Sequence, residues 1–138
     1  MARGSWRQVD RGQWLGRLQN ARDFLQAARN AAALAEASAN GNPIMSQVVL
    51  AVIAYGDALT IRFGGIQNEH DHRQLVRALR YTLGNAADAE QLTRLGRIIG
   101  RKDQIHYDHR TASLDEARGL LEQAERFAVW AERELLRA

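Results

Sequence analysis

The chain has 138 residues, 46% of them hydrophobic and 25% charged, so it is long enough for one domain with a real core and too apolar to be disordered. It contains no cysteine, which excludes disulfides and thiolate metal sites. The net charge is +3, and every lysine or arginine except Lys102 is an arginine. This composition suits a nucleic-acid partner, but a GC-rich coding sequence also produces it and is favoured, because the arginines are spread along the chain rather than clustered.

The first predicted helix runs from about Val9 to Ala39, and its apolar residues recur at three- and four-residue steps. The turn that follows contains Gly41, Asn42 and Pro43. We expect Gly41 to take a left-handed conformation and Asn42 to cap the next helix, with Pro43 in its first turn. No segment alternates between polar and apolar residues convincingly enough to predict a strand.

The second predicted helix, Ile44 to Phe63, is apolar on nearly every side and therefore belongs at the centre of a bundle. Its one acidic residue is Asp57. A carboxylate in a central helix needs a partner, so Asp57 either anchors a neighbouring helix or arginine, or orients a functional group.

The sequence gives no sign of a membrane segment. The N-terminus lacks the apolar run of a signal peptide, and the most apolar stretch, Val48 to Tyr55, is too short to span a bilayer. We therefore expect a cytoplasmic protein without a membrane partner.

The third predicted helix runs from Glu69 to Leu83. Asp71 is expected to cap it, and His72 to be buried with a hydrogen bond that Asp57 could accept. A metal site using His70 and His72 is disfavoured, because residues two apart on a helix diverge by about 200°. We expect no metal and no cofactor.

The fourth predicted helix places Leu92, Leu95, Ile98 and Ile99 inward, and the last begins at a capping box formed by Ser113 and Glu116. With short connections, these segments predict an all-α, antiparallel bundle of four to five helices in a single domain, residues 1–138.

The stretch from Arg101 to Tyr107 combines a fixed cation, a carboxylate and a histidine. On a helix, Lys102 and His106 share a face, and Asp103 lies close enough to His106 to accept a hydrogen bond from its ring. Arg101 and His106 diverge by about 140°. Both can act on one substrate only if the helix ends before His106 or a twofold dimer brings two copies together. A solvated helix end is the alternative interpretation.

From about Met45 to the C-terminus, the chain resembles HEPN domains, the helical modules named for nucleotide binding in higher eukaryotes and prokaryotes. The resemblance depends on the apolar helix containing Tyr55-Gly56-Asp57-Ala58-Leu59, the Asp71-His72 pair, the stretch from Arg101 to Tyr107, and the alanine- and glutamate-rich last helix. It implies a HEPN-like bundle.

Many HEPN proteins are metal-independent endoribonucleases, often the toxins of toxin–antitoxin pairs. Their motif is an arginine, four to six residues and a histidine, and their site forms across a homodimer. The resemblance thus implies a hydrolase in which Arg101 and His106 are catalytic and an antitoxin-like protein is a possible partner. The 2′-hydroxyl of RNA would attack its own phosphate, with His106 moving the proton and Arg101 stabilising the charge.

The resemblance also implies supporting roles for Lys102, Asp103 and Tyr107, and RNA backbone contacts for Arg97 and Arg110. One departure opens an alternative: the family's arginine is usually followed by Asn, Asp or His, but Lys102 follows Arg101. If Asp103 is the family's polar residue, the ends of the motif fall on Lys102 and Tyr107. The chain would then be an inactive HEPN-like module that binds a nucleotide, nucleic acid or protein.

Overall fold

The structure is a computed structural model that describes residues 6–106 and 110–137, with the side chains of Gln104 and His106 outside the described set. These residues form an all-α bundle with one small sheet, which confirms the predicted fold class at that level. Short 3₁₀ turns precede or follow three of the helices. The elements are β1 (Trp6–Gln8), α1 (Trp14–Leu34), α2 (Asn42–Gly64), β2 (Ile66–Asn68), α3 (Leu75–Leu83), α4 (Ala89–His106) and α5 (Leu114–Leu135).

Helix α2 is the centre of the bundle, as predicted, and it packs against all four other helices. Every residue from Ala51 to Ile61 is buried, including Asp57 and Thr60. The helix ends at Gly64 and is capped by Gly65, whose positive φ of 63° places it in the left-handed region that glycine adopts without strain.

By length and composition alone, α2 could cross a membrane, because its apolar character extends well beyond the uninterrupted run from Val48 to Tyr55. In the bundle, 83% of the most apolar 18-residue stretch of α2 is buried. Burial on all sides is the property expected of a core helix.

The two-stranded sheet was not predicted. Strands β1 and β2 pair antiparallel, with Trp6 opposite Asn68 and Gln8 opposite Ile66. Three residues are too few for an alternating pattern, so a strand of this length leaves no periodic signal in the sequence. The backbone N–H of Val9 continues the contact with a 2.9 Å hydrogen bond to the Gly65 carbonyl. Val9 therefore belongs to the extended segment, and the first helix begins at Trp14 after a 3₁₀ turn at Arg11–Gln13.

The predictions for Gly41 and Asn42 were wrong in detail. Gly41 has φ −77°, so it is not left-handed, and Asn42 already belongs to α2. The Gly41 N–H donates to the Ala112 carbonyl at 2.9 Å, and the Asn42 side chain accepts from the Ala112 N–H at 2.8 Å. Both residues therefore fasten the start of α2 to the loop that leads into α5.

The predicted capping roles of Asp71 and Ser113 are confirmed, although Asp71 caps the 3₁₀ turn His72–Gln74 and α3 itself begins at Leu75 rather than near Glu69. Asp71 accepts a hydrogen bond from the Arg73 N–H at 3.0 Å, and Ser113 and Glu116 form the reciprocal capping box at the start of α5. Helix α4 buries the four apolar residues that were predicted to face inward, Leu92, Leu95, Ile98 and Ile99.

Candidate functional site

Arg101 and Lys102 are neighbours in sequence but point to different sides of α4. Arg101 lies beside Met45 and Ala112, next to the start of α5. Lys102 faces away from α5 and lines a cleft with His72. The two candidate basic residues of the motif therefore serve two separate surfaces.

Arg101 is held by the capping box of α5. Its Nη2 donates to Glu116 Oε2 at 2.9 Å, and Arg110 Nη2 donates to the same oxygen at 3.0 Å. Glu116 Oε1 accepts from the Ser113 N–H at 3.3 Å. The Ser113 hydrogen bond and then the Arg101 hydrogen bond lower the pKa of Glu116. One carboxylate thus orients two guanidinium groups.

Arg97 extends this cationic surface. It is exposed and lies one helical turn before Arg101, and it makes no hydrogen bond or ion pair with any described residue. We call Arg97, Arg101, Arg110 and Glu116 the α4–α5 corner. It contains both arginines that were predicted to bind an RNA backbone, together with the predicted catalytic arginine.

Helix α4 continues through His106, so it does not end early enough to turn Arg101 and residue 106 to one side. Within one chain the two positions remain about 140° apart around the helix axis. The His106 side chain and Tyr107 lie outside the described residues, and so does the predicted hydrogen bond between Asp103 and His106. Residue 106 follows Lys102 by one helical turn and shares its face.

A second candidate site was not foreseen from the sequence. A cleft of about 530 Å³ lies between α1, α2, the two-stranded sheet and the segment that follows β2. We call it the Asp57 cleft. The side chains that matter for its chemistry are Arg7, Arg17, Phe24, Asp57, Gln67 and His72. The unusual acid in α2 was the one signal that pointed to it, since the other residues come from distant parts of the chain.

Asp57 is only 7% exposed and makes no side-chain hydrogen bond with any described residue. Burial raises the pKa of Asp57 to about 7, although the positive charge of Arg17 lowers it. The predicted hydrogen bond from His72 is absent; both residues line the cleft without bonding to each other. Burial and then the nearby Lys102 lower the pKa of the half-buried His72.

The described residues contain no group of three or more histidine, aspartate or glutamate side chains arranged to hold a metal ion.

No protein-family model matches the sequence, and a comparison with curated proteins gives no significant match.

Proposed function

We propose that this chain is a HEPN-like helical module that binds RNA through the α4–α5 corner. The observation that carries the proposal is the convergence of Arg101 and Arg110 on one oxygen of Glu116. Two guanidinium groups share one carboxylate, so the corner keeps an excess positive charge and N–H groups that are free to bind a phosphate.

The corner is organised before any ligand arrives. Arg101 is about one-third exposed, and Glu116 is fixed in turn by the N–H of Ser113. A guanidinium that is already oriented loses less conformational entropy when it binds a phosphate. Arg97 adds a third cation one turn away, at a spacing that allows contact with a second phosphate of a flexible strand.

The geometry supports binding more directly than cleavage. Arg101 is engaged by Glu116, and in a single chain it lies on a different face of α4 from residue 106. A residue that holds a structural ion pair is suited to position a backbone, whereas the proposed proton transfer needs a histidine at the same phosphate.

Fluorescence anisotropy with a labelled single-stranded RNA tests this function. Arg101→Ala and Arg110→Ala should each weaken binding and lower the slope of log affinity against log salt by about 0.7, the effect of one lost phosphate contact on a single strand. Arg80→Ala, which removes an exposed arginine of α3, is the matched control and should not change the affinity. Equal losses from all three variants would show diffuse attraction and contradict the proposal.

The second candidate is the metal-independent endoribonuclease, with Arg101 and His106 acting across a homodimer. It is favoured by the continuity of α4 through His106, because a twofold pairing of this helix end would supply the arginine of one copy and the histidine of the other. An antitoxin-like protein could then act by blocking that pairing.

Cleavage is tested by incubating the protein with RNA in the presence of EDTA. An enzyme of this kind should cut RNA, leave a strand with 2′-deoxy residues intact, and lose activity in His106→Ala. Light scattering should find a dimer at the concentrations that cleave. A monomer, or cleavage that persists in His106→Ala, would remove the second candidate and leave the binding proposal unaffected.

A further inference from the structure

The Asp57 cleft contains three polar groups that the fold leaves without hydrogen-bond partners. Asp57 and Arg17 make no side-chain hydrogen bond with any described residue. Gln67 lines the same cleft, and its Oε1 atom is enclosed without a partner. Arg17 is half-buried, whereas Asp57 is nearly fully buried. Buried polar groups are normally paired, so the unpaired Asp57 carboxylate beside Arg17 and Gln67 indicates a ligand that supplies the missing partners.

The separation of the charges limits what that ligand can be. Arg17 is near enough to Asp57 to favour its ionised form, yet the two side chains do not form an ion pair. Both side chains line the cleft, so a hydrogen-bond acceptor and a hydrogen-bond donor are available to one ligand. Phe24, Ile53 and Ala54 add apolar surface to the cleft, and an aromatic ring such as Phe24 can stack on a nucleobase.

Guanine matches this arrangement. Its N1–H and N2 amino group are adjacent donors that can bond both oxygens of a carboxylate, and its O6 and N7 atoms are acceptors for an arginine fork. Adenine presents an acceptor, N1, beside its single amino group, so it would place a lone pair against Asp57. The cavity of about 530 Å³ falls in the range of small-molecule sites.

We propose that the Asp57 cleft binds a guanine nucleotide, with Asp57 accepting from N1–H and the N2 amino group and Arg17 donating to O6 and N7. Gln67 Oε1 takes the second N2 hydrogen after rotation of its amide. Arg7 and His70 lie at the cleft and can meet the phosphate, although Arg7 also contacts Glu69 at 3.7 Å. The guanine can belong to a free nucleotide or to an unpaired position in RNA. This inference does not depend on the α4–α5 corner.

The first test is calorimetry with the full chain at pH 8, where Asp57 is ionised. Guanosine monophosphate should bind. Inosine monophosphate, which lacks the N2 amino group, should bind at least about tenfold more weakly because one hydrogen bond to a charged group is lost. Adenosine monophosphate should not saturate at millimolar concentration. Equal binding of the three nucleotides, or no saturation by any of them, would overturn the proposal.

Asp57→Asn distinguishes recognition of the base from a purely structural role, because only recognition predicts a change in which base is bound. Xanthine carries a carbonyl where guanine has its amino group, so an asparagine N–H can donate to it while its carbonyl still accepts from N1–H. The variant should lose affinity for guanosine monophosphate and gain affinity for xanthosine monophosphate. An unchanged ratio of the two affinities in a variant that is folded by circular dichroism would contradict the assignment.

Arg17→Met keeps most of the length of the side chain and removes its charge. It should weaken the binding of guanosine monophosphate by about tenfold, because a charged hydrogen-bonding pair is lost. Arg80→Met, on α3 and outside the cleft lining, is the matched control and should bind like the unmodified chain. A similar loss in both variants would point to nonspecific attraction of the phosphate and contradict the assigned role of Arg17.

Two oligonucleotides separate the sources of the base. A ten-nucleotide oligouridine is compared with the same strand carrying one central guanine. Tighter binding of the guanine strand than of guanosine monophosphate assigns the cleft to RNA, and the reverse assigns it to a free nucleotide. If neither the guanine strand nor the free nucleotide binds better than oligouridine, the cleft does not recognise guanine. Because Arg101→Ala should leave nucleotide binding intact, failure of the RNA-binding corner is distinguishable from failure of this site.

Discussion

The Tyr55 hydroxyl donates a 2.9 Å hydrogen bond to Glu132 Oε2, joining the central helix α2 to α5. Arg22 of α1 donates to both oxygens of the same carboxylate, at 2.8 Å and 2.6 Å. These hydrogen bonds with Arg22 are the largest cause of the lowered pKa of Glu132. One acidic side chain therefore connects three helices of the bundle.

Tyr55→Phe should lower the free energy of unfolding by about 1.5–3 kcal/mol, because it removes a hydrogen bond to a charged group from a side chain that is only 2% exposed. Urea denaturation followed by circular dichroism measures the change. Tyr81→Phe is the control: Tyr81 is 63% exposed, and its replacement should change stability by less than about 0.5 kcal/mol. Equal effects at the two positions would show that the Tyr55 hydroxyl does not stabilise the bundle.

Gly41→Ala should destabilise the fold, although the glycine has an ordinary right-handed conformation. A Cβ atom at this position would overlap the Ser113 carbonyl, which belongs to the backbone at the start of α5. Overpacking of this kind typically costs about 1–3 kcal/mol. The same urea titration would detect it as a lower midpoint with an unchanged slope.

Gly119→Ala is the matched control for that prediction. Gly119 lies in α5, and a Cβ atom there would meet no neighbouring atom within 4 Å. Alanine should therefore stabilise the helix by about 0.5–1 kcal/mol. If Gly41→Ala is also stabilising, the contact between the start of α2 and the loop before α5 is less close than described.

Much of the bundle could be predicted because its signals are local. Helix α2 is apolar on every side, and capping residues such as Asp71 and Ser113 act on backbone groups two or three residues away. Each such signal involves residues that are close in sequence, and for this reason the central helix and the capping roles of Asp71 and Ser113 agree with the structure.

What could not be predicted depends on contacts between distant parts of the chain. The sheet pairs Arg7 with Gln67, and Asn42 bonds the backbone of Ala112, so neither contact leaves a local pattern. The Asp57 cleft has the same origin. Its acid stood out in the sequence, but Arg17 approaches from a different helix.

Asp57→Asn should increase stability, and the increase should grow with pH. The folded-state pKa of about 7 lies above the ordinary value of 3.8, so the native protein binds more protons than the unfolded chain in this interval. The stability of the unmodified chain therefore falls as pH rises from about 4 to 7, by at most about 4 kcal/mol. Asparagine stays neutral and avoids this loss.

Urea denaturation of both proteins at pH 4.5 and pH 8 measures the effect as a difference between the two conditions. The charged groups that face this cleft besides Asp57 are Arg7, Arg17, Glu69, His70 and His72. Because His72 is a second titratable group in this cleft, and burial lowers its pKa, the comparison is repeated in a His72→Asn background. A stability gain that is the same at both pH values would mean that Asp57 is not protonated preferentially in the folded protein.

Glu116→Gln should strengthen RNA binding at the α4–α5 corner. Glutamine can keep the capping box with Ser113, but it no longer carries the negative charge that holds Arg101 and Arg110. Releasing an exposed ion pair should increase affinity by up to about fivefold. Anisotropy with single-stranded RNA at low salt measures the change.

Glu116→Ala separates the charge from the cap. It also releases the two arginines but removes the hydrogen bond from the Ser113 N–H, so it should lower the stability below that of Glu116→Gln. The glutamine variant should bind RNA more tightly than the alanine variant, because its amide oxygen can still orient the guanidinium groups that alanine leaves without an acceptor. Weaker binding in the glutamine variant than in the unmodified chain, with its fold intact, would contradict this prediction. It would mean that the charge of Glu116 helps to orient the arginines more than it competes with the phosphate, and that the excess charge of the corner is not what attracts RNA.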